Sequence, residues 1–185
     1  RANQWVVRNG LISKEELDSV VKQNLRTNAR CQFDLYNNIH KPDVFDKIVK
    51  FSPETEELFE RIQKKQHGTV VVGVHTSNLD IGFIAISLRK IRVIGISVPQ
   101  PGGGYSWQND IRTNLGIKII PASKQAIRAA FDYLMEAGTV VTGIDRPLED
   151  SKYKPKFFDR PAALPVFHVM MAIKTNSPVY VASNS

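Results

Sequence analysis

The feature that most limits the possible folds is a series of short apolar runs that alternate with stretches of helical periodicity. The runs are rich in Val and Ile, which is typical of strands buried on both faces of a parallel sheet. They occupy residues 69–74, 91–98, 117–120, 139–144 and 178–182. Strands that alternate with helices predict an α/β fold, with a mostly parallel central sheet and helices on both faces.

A helical N-terminal part precedes this alternation. Ser13 and Glu16 form a capping-box pattern, which predicts a long helix that continues to about Tyr36. Ser52 stands directly before a proline, and this pair predicts the start of another helix. A short edge strand is predicted over residues 47–51.

The remaining predicted helices belong to the α/β part and cover residues 79–90, 108–115, 123–138 and 164–174. We therefore expect a single domain, with a helical lead-in over residues 1–45 and an α/β core over residues 46–185. The chain begins with Arg rather than Met and stops directly after a predicted strand. From this we expect both ends of the natural chain to be missing.

The charge and composition of the chain limit the kinds of partner that it is expected to bind. The 185 residues include 25 Lys and Arg against 18 Asp and Glu, a net charge of +7 that favours an anionic partner. No nucleic-acid motif accompanies this charge, so we expect no nucleic-acid partner. Cys31 is the single cysteine, and the four histidines lack the spacing of zinc ligands, so no disulfide and no metal are expected.

Polar residues follow two of the predicted strands, at the edge of the sheet where α/β proteins bind ligands. His75 ends the first strand, and Asp145 and Arg146 end the fourth. Asp80 lies in the first turn of the helix after His75, so we expect its carboxylate to reach the imidazole. Such a pair activates a hydroxyl group. Alternatively, Ser77 and Asp80 form a capping box and His75 bonds only the backbone.

Two further features at this edge have both a binding and a structural interpretation. Asp145 and Arg146 are typical of an anion-binding or hydroxyl-orienting pair, and the alternative is a surface ion pair of little energetic weight. The glycines at 102–104 favour a backbone-lined substrate wall, and the alternative is a flexible surface loop. They lack the spacing of nucleotide-binding loops, so no nucleotide site is expected.

The polar segment 145–161 contains a basic cluster mixed with aromatic residues. This mixture favours a lipid headgroup surface, and a solvated basic loop is the alternative. The cations are Lys152, Lys154, Lys156 and Arg160, and the aromatics are Tyr153, Phe157 and Phe158.

Together these features resemble the lysophospholipid acyltransferase superfamily. His75 and Asp80, after a Val-rich strand, match its His-x4-Asp signature. Further segments are similar to its lipid A late (lauroyl/myristoyl) acyltransferase branch and to phosphatidylinositol mannoside acyltransferases, namely residues 112–116, 138–146, 157–162 and 178–181. The resemblance covers about residues 20–183, and the order of the segments is more specific than the signature alone.

The resemblance implies an acyltransferase that moves a fatty acyl chain to a hydroxyl of a glycolipid or phospholipid. The donor would be a thioester of acyl carrier protein or coenzyme A, with no cofactor and no metal. His75 would be the general base with Asp80 as its partner, and the phenylalanines of 157–158 would pack against the sheet. The substrate-binding candidates are Gln100, Gly103, Arg112, Asp145 and Arg146.

The sequence also departs from the lipid A branch. That branch mostly has Glu at the position of Asp80 and Gln at the position of Arg146, and its Phe-Phe-Gly is Phe-Phe-Asp at residues 157–159. These departures leave the acceptor open. Membrane lipids are the expected partners, at the cytoplasmic face of the inner or plasma membrane, reached peripherally or through an N-terminal anchor. The alternative function is a catalytically inactive lipid-binding module of the same fold.

Overall fold

A computed structural model describes residues 1–76, 79–98, 102–147 and 151–183. Within these ranges the helices are α1 (Ala2–Val6), α2 (Lys14–Asn38), α3 (Pro42–Ile48), α4 (Pro53–Gln63), α5 (Leu79–Leu88), α6 (Gly104–Asn114), α7 (Lys124–Met135) and α8 (Phe167–Thr175). The strands are β1 (Thr69–Gly73), β2 (Val93–Ser97), β3 (Lys118–Pro121), β4 (Thr139–Gly143), β5 (Lys156–Phe157), β6 (Arg160–Pro161) and β7 (Val179–Ala182).

The central sheet has five strands in the order β3-β2-β4-β1-β7, and every pairing between neighbours is parallel. The prediction of an α/β fold with a parallel sheet is confirmed. Strands β1 and β4 are neighbours, and Gly73 at the end of β1 pairs with Gly143 at the end of β4. The residues that follow these two glycines therefore leave the sheet side by side.

Helices cover both faces of the sheet, as two successive residues of β4 demonstrate. Val140 packs in a buried cluster with Leu134 of α7 and Met171 of α8. Val141 points to the opposite face and packs against a second cluster that includes Phe59 of α4. Successive side chains of a strand point to opposite faces, so each apolar strand binds a helical layer on either side.

The helical N-terminal part is attached to the core through α5. The predicted capping box is confirmed, because Ser13 Oγ accepts from the Glu16 N–H and the Glu16 carboxylate accepts from the Ser13 N–H. At the other end of α2, Leu35 is buried with Phe45 of α3 and Ile84 of α5. Burial of these three side chains away from water holds the helical part against the domain.

One predicted element is wrong, for a reason that packing explains, and another begins earlier than predicted. The edge strand predicted over residues 47–51 does not form, because α3 continues to Ile48. Phe45 is completely buried among helices, and this contact outweighs the β-branched character of the following residues. Helix α6 begins at Gly104, four residues earlier than the predicted start at 108.

A two-stranded hairpin, formed by β5 and β6, lies within the segment predicted only as polar. Phe158 and Asp159 form its two-residue turn, and both have positive φ, at 50° and 57°. The expectation that Phe157 and Phe158 pack against the sheet is wrong, since they remain 58% and 45% exposed. Strands β5 and β6 pair with each other and not with the central sheet, so neither ring is carried onto that sheet.

Candidate active site

A cleft of about 820 Å³ opens at the carboxyl edge of the sheet. Its floor consists of the ends of β1, β2 and β4, and its walls come from α5, α6 and α8. This is the edge where parallel α/β sheets place their ligands. The side chains that line it include His75, Asp80, Phe83, Tyr105, Arg112, Arg146 and Phe167.

The central polar contact of the cleft joins His75 to Asp145. His75 Nδ1 lies 2.6 Å from Asp145 Oδ1, and the backbone N–H of His75 donates to Oδ2 at 2.8 Å. The pairing follows from the sheet, because each residue lies two positions after one of the paired glycines, Gly73 and Gly143. The carboxylate therefore holds both the ring and the backbone of the histidine.

Gly143 makes room for this histidine. A Cβ at that position would overlap Cε1 of the His75 ring. The imidazole thus lies directly over the end of β4, in a space that only a residue without a side chain leaves open.

The electrostatics of the pair favour a charged carboxylate. Burial raises the pKa of Asp145, but the hydrogen bonds from the His75 ring and the His75 backbone lower it more. The net pKa of Asp145 therefore lies below its ordinary value. A carboxylate only accepts hydrogen bonds, so Nδ1 of His75 carries the proton in this contact. In the neutral form of such an imidazole, the lone pair lies on Nε2.

Instead of contacting each other, as expected, His75 pairs with Asp145 and Asp80 pairs with Arg112. Asp80 Oδ1 accepts from Arg112 Nε at 2.7 Å and lies 2.6 Å from Arg112 Nη2. Asp80 lies in the first turn of α5, which packs beside α6, so its carboxylate meets the arginine of that helix instead of the imidazole. The capping alternative involves Ser77, which lies outside the described residues.

Arg112 also anchors a chain of polar contacts below the cleft wall. Its Nη1 donates to Asn109 Oδ1 at 3.0 Å, and the Asn109 amide donates to Ser97 Oγ at 3.0 Å. Asn109 is buried, and the Arg112 guanidinium lies 5.9 Å from the Phe83 ring centroid. The Asp80–Arg112 pair therefore ties α5, α6 and β2 together.

Arg146 occupies a different environment. Its guanidinium lies over the Tyr105 ring, 4.9 Å from the centroid, and it lines the cleft together with His75. No carboxylate among the described residues pairs with it. A cation that stacks on an aromatic face keeps its outer donors available for an anion.

A comparison with protein families identifies the chain. The family model for bacterial lipid A biosynthesis acyltransferases matches residues 10–182. The chain belongs to this family. A comparison with curated proteins finds no match. Membership in the lipid A acyltransferase family makes the protein an acyltransferase with a lipid acceptor, and the matched residues include the whole cleft.

The lipid A acyltransferase family match does not separate the phosphatidylinositol mannoside branch from the others. The two loop residues predicted to bind substrate also remain open. Gly103 caps the start of α6 with a φ of 53°, and the cleft is lined by the next two residues, Gly104 and Tyr105. Gln100 lies outside the described residues.

On one wall of this acyltransferase site, sequence reasoning found Arg112 but missed Tyr105 and Gln108. Tyr105, Gln108 and Arg112 line the cleft from one side of α6, at spacings of three and four residues. Such spacing places side chains on one helix face. This spacing is visible in the sequence, but it places the three side chains on one helix face only if the helix begins at Gly104.

Two further features, a cluster of metal ligands and a membrane-spanning helix, are absent from the part of the acyltransferase that the structure describes. In residues 1–76, 79–98, 102–147 and 151–183, no three His, Cys, Asp or Glu side chains cluster as metal ligands. In the same ranges no helix is long and apolar enough to cross a bilayer.

Proposed function

We propose that this protein transfers a fatty acyl chain from an acyl thioester to a hydroxyl group of a glycolipid or phospholipid, with His75 as the general base. The observation that supports this most directly is the 2.6 Å contact between His75 Nδ1 and Asp145 Oδ1 in the cleft. A histidine held in one tautomer by a carboxylate is the arrangement that enzymes use to activate hydroxyl nucleophiles.

The reaction follows from the free lone pair on Nε2. His75 Nε2 takes the proton of the acceptor hydroxyl as its oxygen attacks the thioester carbonyl carbon. The tetrahedral intermediate collapses, the C–S bond breaks, and the imidazolium returns the proton to the leaving thiolate. Asp145 stabilises the imidazolium during these steps, because it is charged and within hydrogen-bond distance. The products are an ester and a free thiol.

The cleft has room and lining for the acyl chain. Phe83, Ile96 and Phe167 supply apolar surface from three different elements, around the polar pair. Burial of methylene groups in such a cleft is favourable, at about 0.8 kcal/mol for each CH₂. The donor is a thioester of acyl carrier protein or coenzyme A. Both are cytoplasmic molecules, so we place the reaction at the cytoplasmic face of the membrane.

Arg146 is the cation that we assign to a phosphate of the donor or the acceptor. Both Arg112 and Arg146 line the cleft, but Arg112 already pairs with Asp80. Arg146 stacks on Tyr105 next to the catalytic pair, so its charge is available at the place of reaction. We assign Asp80 and Arg112 a positioning role, in which they hold α5 and α6 in place around the cleft.

The direct test is His75→Ala, assayed for transfer of radiolabelled acyl groups from each thioester to extracted bacterial lipids. Loss of a general base lowers turnover on the order of 10²- to 10⁴-fold. His67→Ala is the matched control, because His67 is exposed and lies before β1 instead of after it. Near-normal turnover by a folded His75→Ala variant would exclude His75 as the base.

The same assay addresses the inactive-module alternative and the acceptor. A wild-type chain that binds lipid vesicles but transfers no acyl group from either thioester would favour the inactive module. Where transfer occurs, mass spectrometry of the acylated lipid identifies the acceptor. Phosphatidylinositol mannoside is one acceptor to include, as the resemblance to that branch suggests.

A further inference from the structure

The β5–β6 hairpin combines exposed apolar side chains with exposed basic ones. We propose that this hairpin, residues 152–161, docks on an anionic phospholipid bilayer and inserts Phe157 and Phe158 among the lipid headgroups. This inference rests on the hairpin alone and does not depend on the proposed function.

Among the residues that the structure describes, the two phenylalanines make a ring contact only with each other. Their rings meet edge to face, with centroids 4.7 Å apart, and residues 152–161 are all exposed. Two large apolar side chains at the tip of a projecting hairpin form a compact surface that water solvates poorly. Transfer of this surface into a headgroup layer removes it from water.

The backbone of the turn adds a second argument. Two-residue turns with positive φ at both positions normally contain Asn, Asp or Gly, because a bulky side chain is disfavoured there. Asp159 fits this rule, but Phe158 adopts a φ of 50° without any buried contact to compensate. A contact outside the chain explains why an aromatic residue occupies this position.

The charges around the tip are complementary to an anionic surface. Lys152, Lys154, Lys156 and Arg160 surround the phenylalanines, and Asp159 is the one acidic residue among residues 151–161. None of these four cations forms an ion pair with another described residue. Tyr153 is 63% exposed beside them, and tyrosine is enriched at membrane interfaces.

The hairpin lies close in the chain to residues that line the cleft. The chain leaves the cleft at Pro147 and returns to it at Pro165 and Phe167, so the hairpin projects from the same edge of the sheet. Docking of the tip on a bilayer therefore brings the mouth of the cleft to the lipid surface. An acceptor lipid then reaches His75 with its acyl chains still in the membrane.

An acidic protein is the other partner that a basic hairpin attracts. Charge alone does not distinguish it from a bilayer, but the paired phenylalanines at the tip favour the bilayer. A hairpin tip presents too little area for a stable protein interface, which buries about 800 Å² on each partner. It is large enough to insert two rings between headgroups.

The test is sedimentation of the whole chain with vesicles of equimolar phosphatidylglycerol and phosphatidylcholine, beside vesicles of phosphatidylcholine alone. One variant carries Phe157→Ser and Phe158→Asn, since Asn accepts the positive φ of the turn and preserves the hairpin. The other carries Lys152→Gln, Lys154→Gln and Lys156→Gln. The matched control removes the same charge from exposed positions of α2, with Lys22→Gln, Arg26→Gln and Arg30→Gln.

We expect the lysine variant to lower the partition coefficient on anionic vesicles by on the order of 10²-fold, with wild-type binding weakening as salt rises. The phenylalanine variant should lower it on the order of tenfold, and the α2 control should stay close to wild type. Equal loss in the α2 control, or unchanged binding by both hairpin variants with intact melting curves, overturns the proposal. Binding to acyl carrier protein is measured with the same variants. A lysine variant that loses binding to acyl carrier protein but still binds vesicles also overturns the proposal.

Discussion

Two carboxylates of the cleft have opposite surroundings. Asp145 follows a strand and holds a histidine that is about one third exposed, whereas Asp80 begins a helix and pairs with an arginine in a less accessible position. The first pair faces the place of reaction, and the second lies between two helices. Proximity in sequence predicted the wrong partner for His75. Only four residues of chain separate it from Asp80, but the register of the sheet brings Asp145 beside it.

The difference teaches that a motif identifies reactive residues more securely than it identifies their contacts. Both aspartates belong to segments that resemble the family, and both line or border the cleft. Their roles diverge because a parallel ladder fixes residues of neighbouring strands at adjacent positions, whereas a helix start directs its side chains toward whichever element packs beside it. Each prediction below tests one side of this comparison.

The largest effect is expected for Asp145→Asn. The amide leaves the shape of the site intact but cannot balance an imidazolium and favours the wrong tautomer, so turnover should fall on the order of 10²- to 10⁴-fold. Turnover of the purified variant is measured beside Asp132→Asn, an exposed position on α7. If Asp80→Asn proves as inactive as Asp145→Asn while equally stable, the assignment of the two roles is reversed.

Gly143→Ala should have the next largest effect. Its new methyl group would overlap the His75 ring and displace the imidazole from Asp145. A displacement of about 1 Å lowers turnover on the order of 10²-fold. Gly102→Ala is the control, because a Cβ there meets no heavy atom within 4 Å and Gly102 is not among the residues that line the cleft. Equal activity of the two variants would show that the ring does not depend on the space above Gly143.

Asp80→Asn should act mainly on stability. It weakens the charge-assisted contacts to Arg112, whose side chain is only 17% exposed, at a cost of about 1–3 kcal/mol in the free energy of unfolding. Turnover at saturating substrate should change less than tenfold. Urea unfolding of Asp80→Asn, Arg112→Gln and the double variant measures the coupling. Additive single effects would mean that the pair contributes no coupling.

The smallest effect is the dependence of stability on pH. The pKa of Asp145 is lower in the folded chain than its ordinary value, so the carboxylate stabilises the fold above the ordinary pKa. That contribution is lost as the pH falls through the lower, folded pKa. The difference in unfolding free energy between wild type and Asp145→Asn should therefore fall in acid, as the pH drops below the ordinary pKa of the carboxyl group and through its folded pKa. A difference that stays the same down to strong acid would contradict the charged state assigned here.

Most of the sheet could be predicted from sequence because buried parallel strands consist of uninterrupted β-branched residues. The run at 69–74 shows this pattern, and its strand ends within one residue of the prediction. The hairpin could not be found in this way, since its strands of two residues contain no periodicity and its turn has Phe158 where Gly or Asn is usual. Residues 47–51 were mispredicted because burial of Phe45 determines the structure there.

The sequence predicted which residues belong to the site, but not how they pair. The rule that ligands bind at the carboxyl edge placed His75, Asp145 and Arg146 together. In the structure His75 and Arg146 line the cleft, and Asp145 is hydrogen-bonded to His75. The pairing required the strand order, which no local pattern encodes. Sequence alone left β1 and β4 unassigned as neighbours, so the contact between His75 and Asp145 became visible only in three dimensions.

The position of the pair, two residues after the ends of two inner strands, has a consequence for the timing of catalysis. Strand β4 is bonded to β2 and β1, and β1 is bonded to β4 and β7, so both have neighbours on each side. Amide protons of such strands exchange with solvent only when the whole domain opens. The strand ends that carry the base and its carboxylate are therefore fixed in nearly every native molecule before a substrate arrives. Any slow conformational step in turnover must then arise elsewhere, in the helices that form the cleft walls.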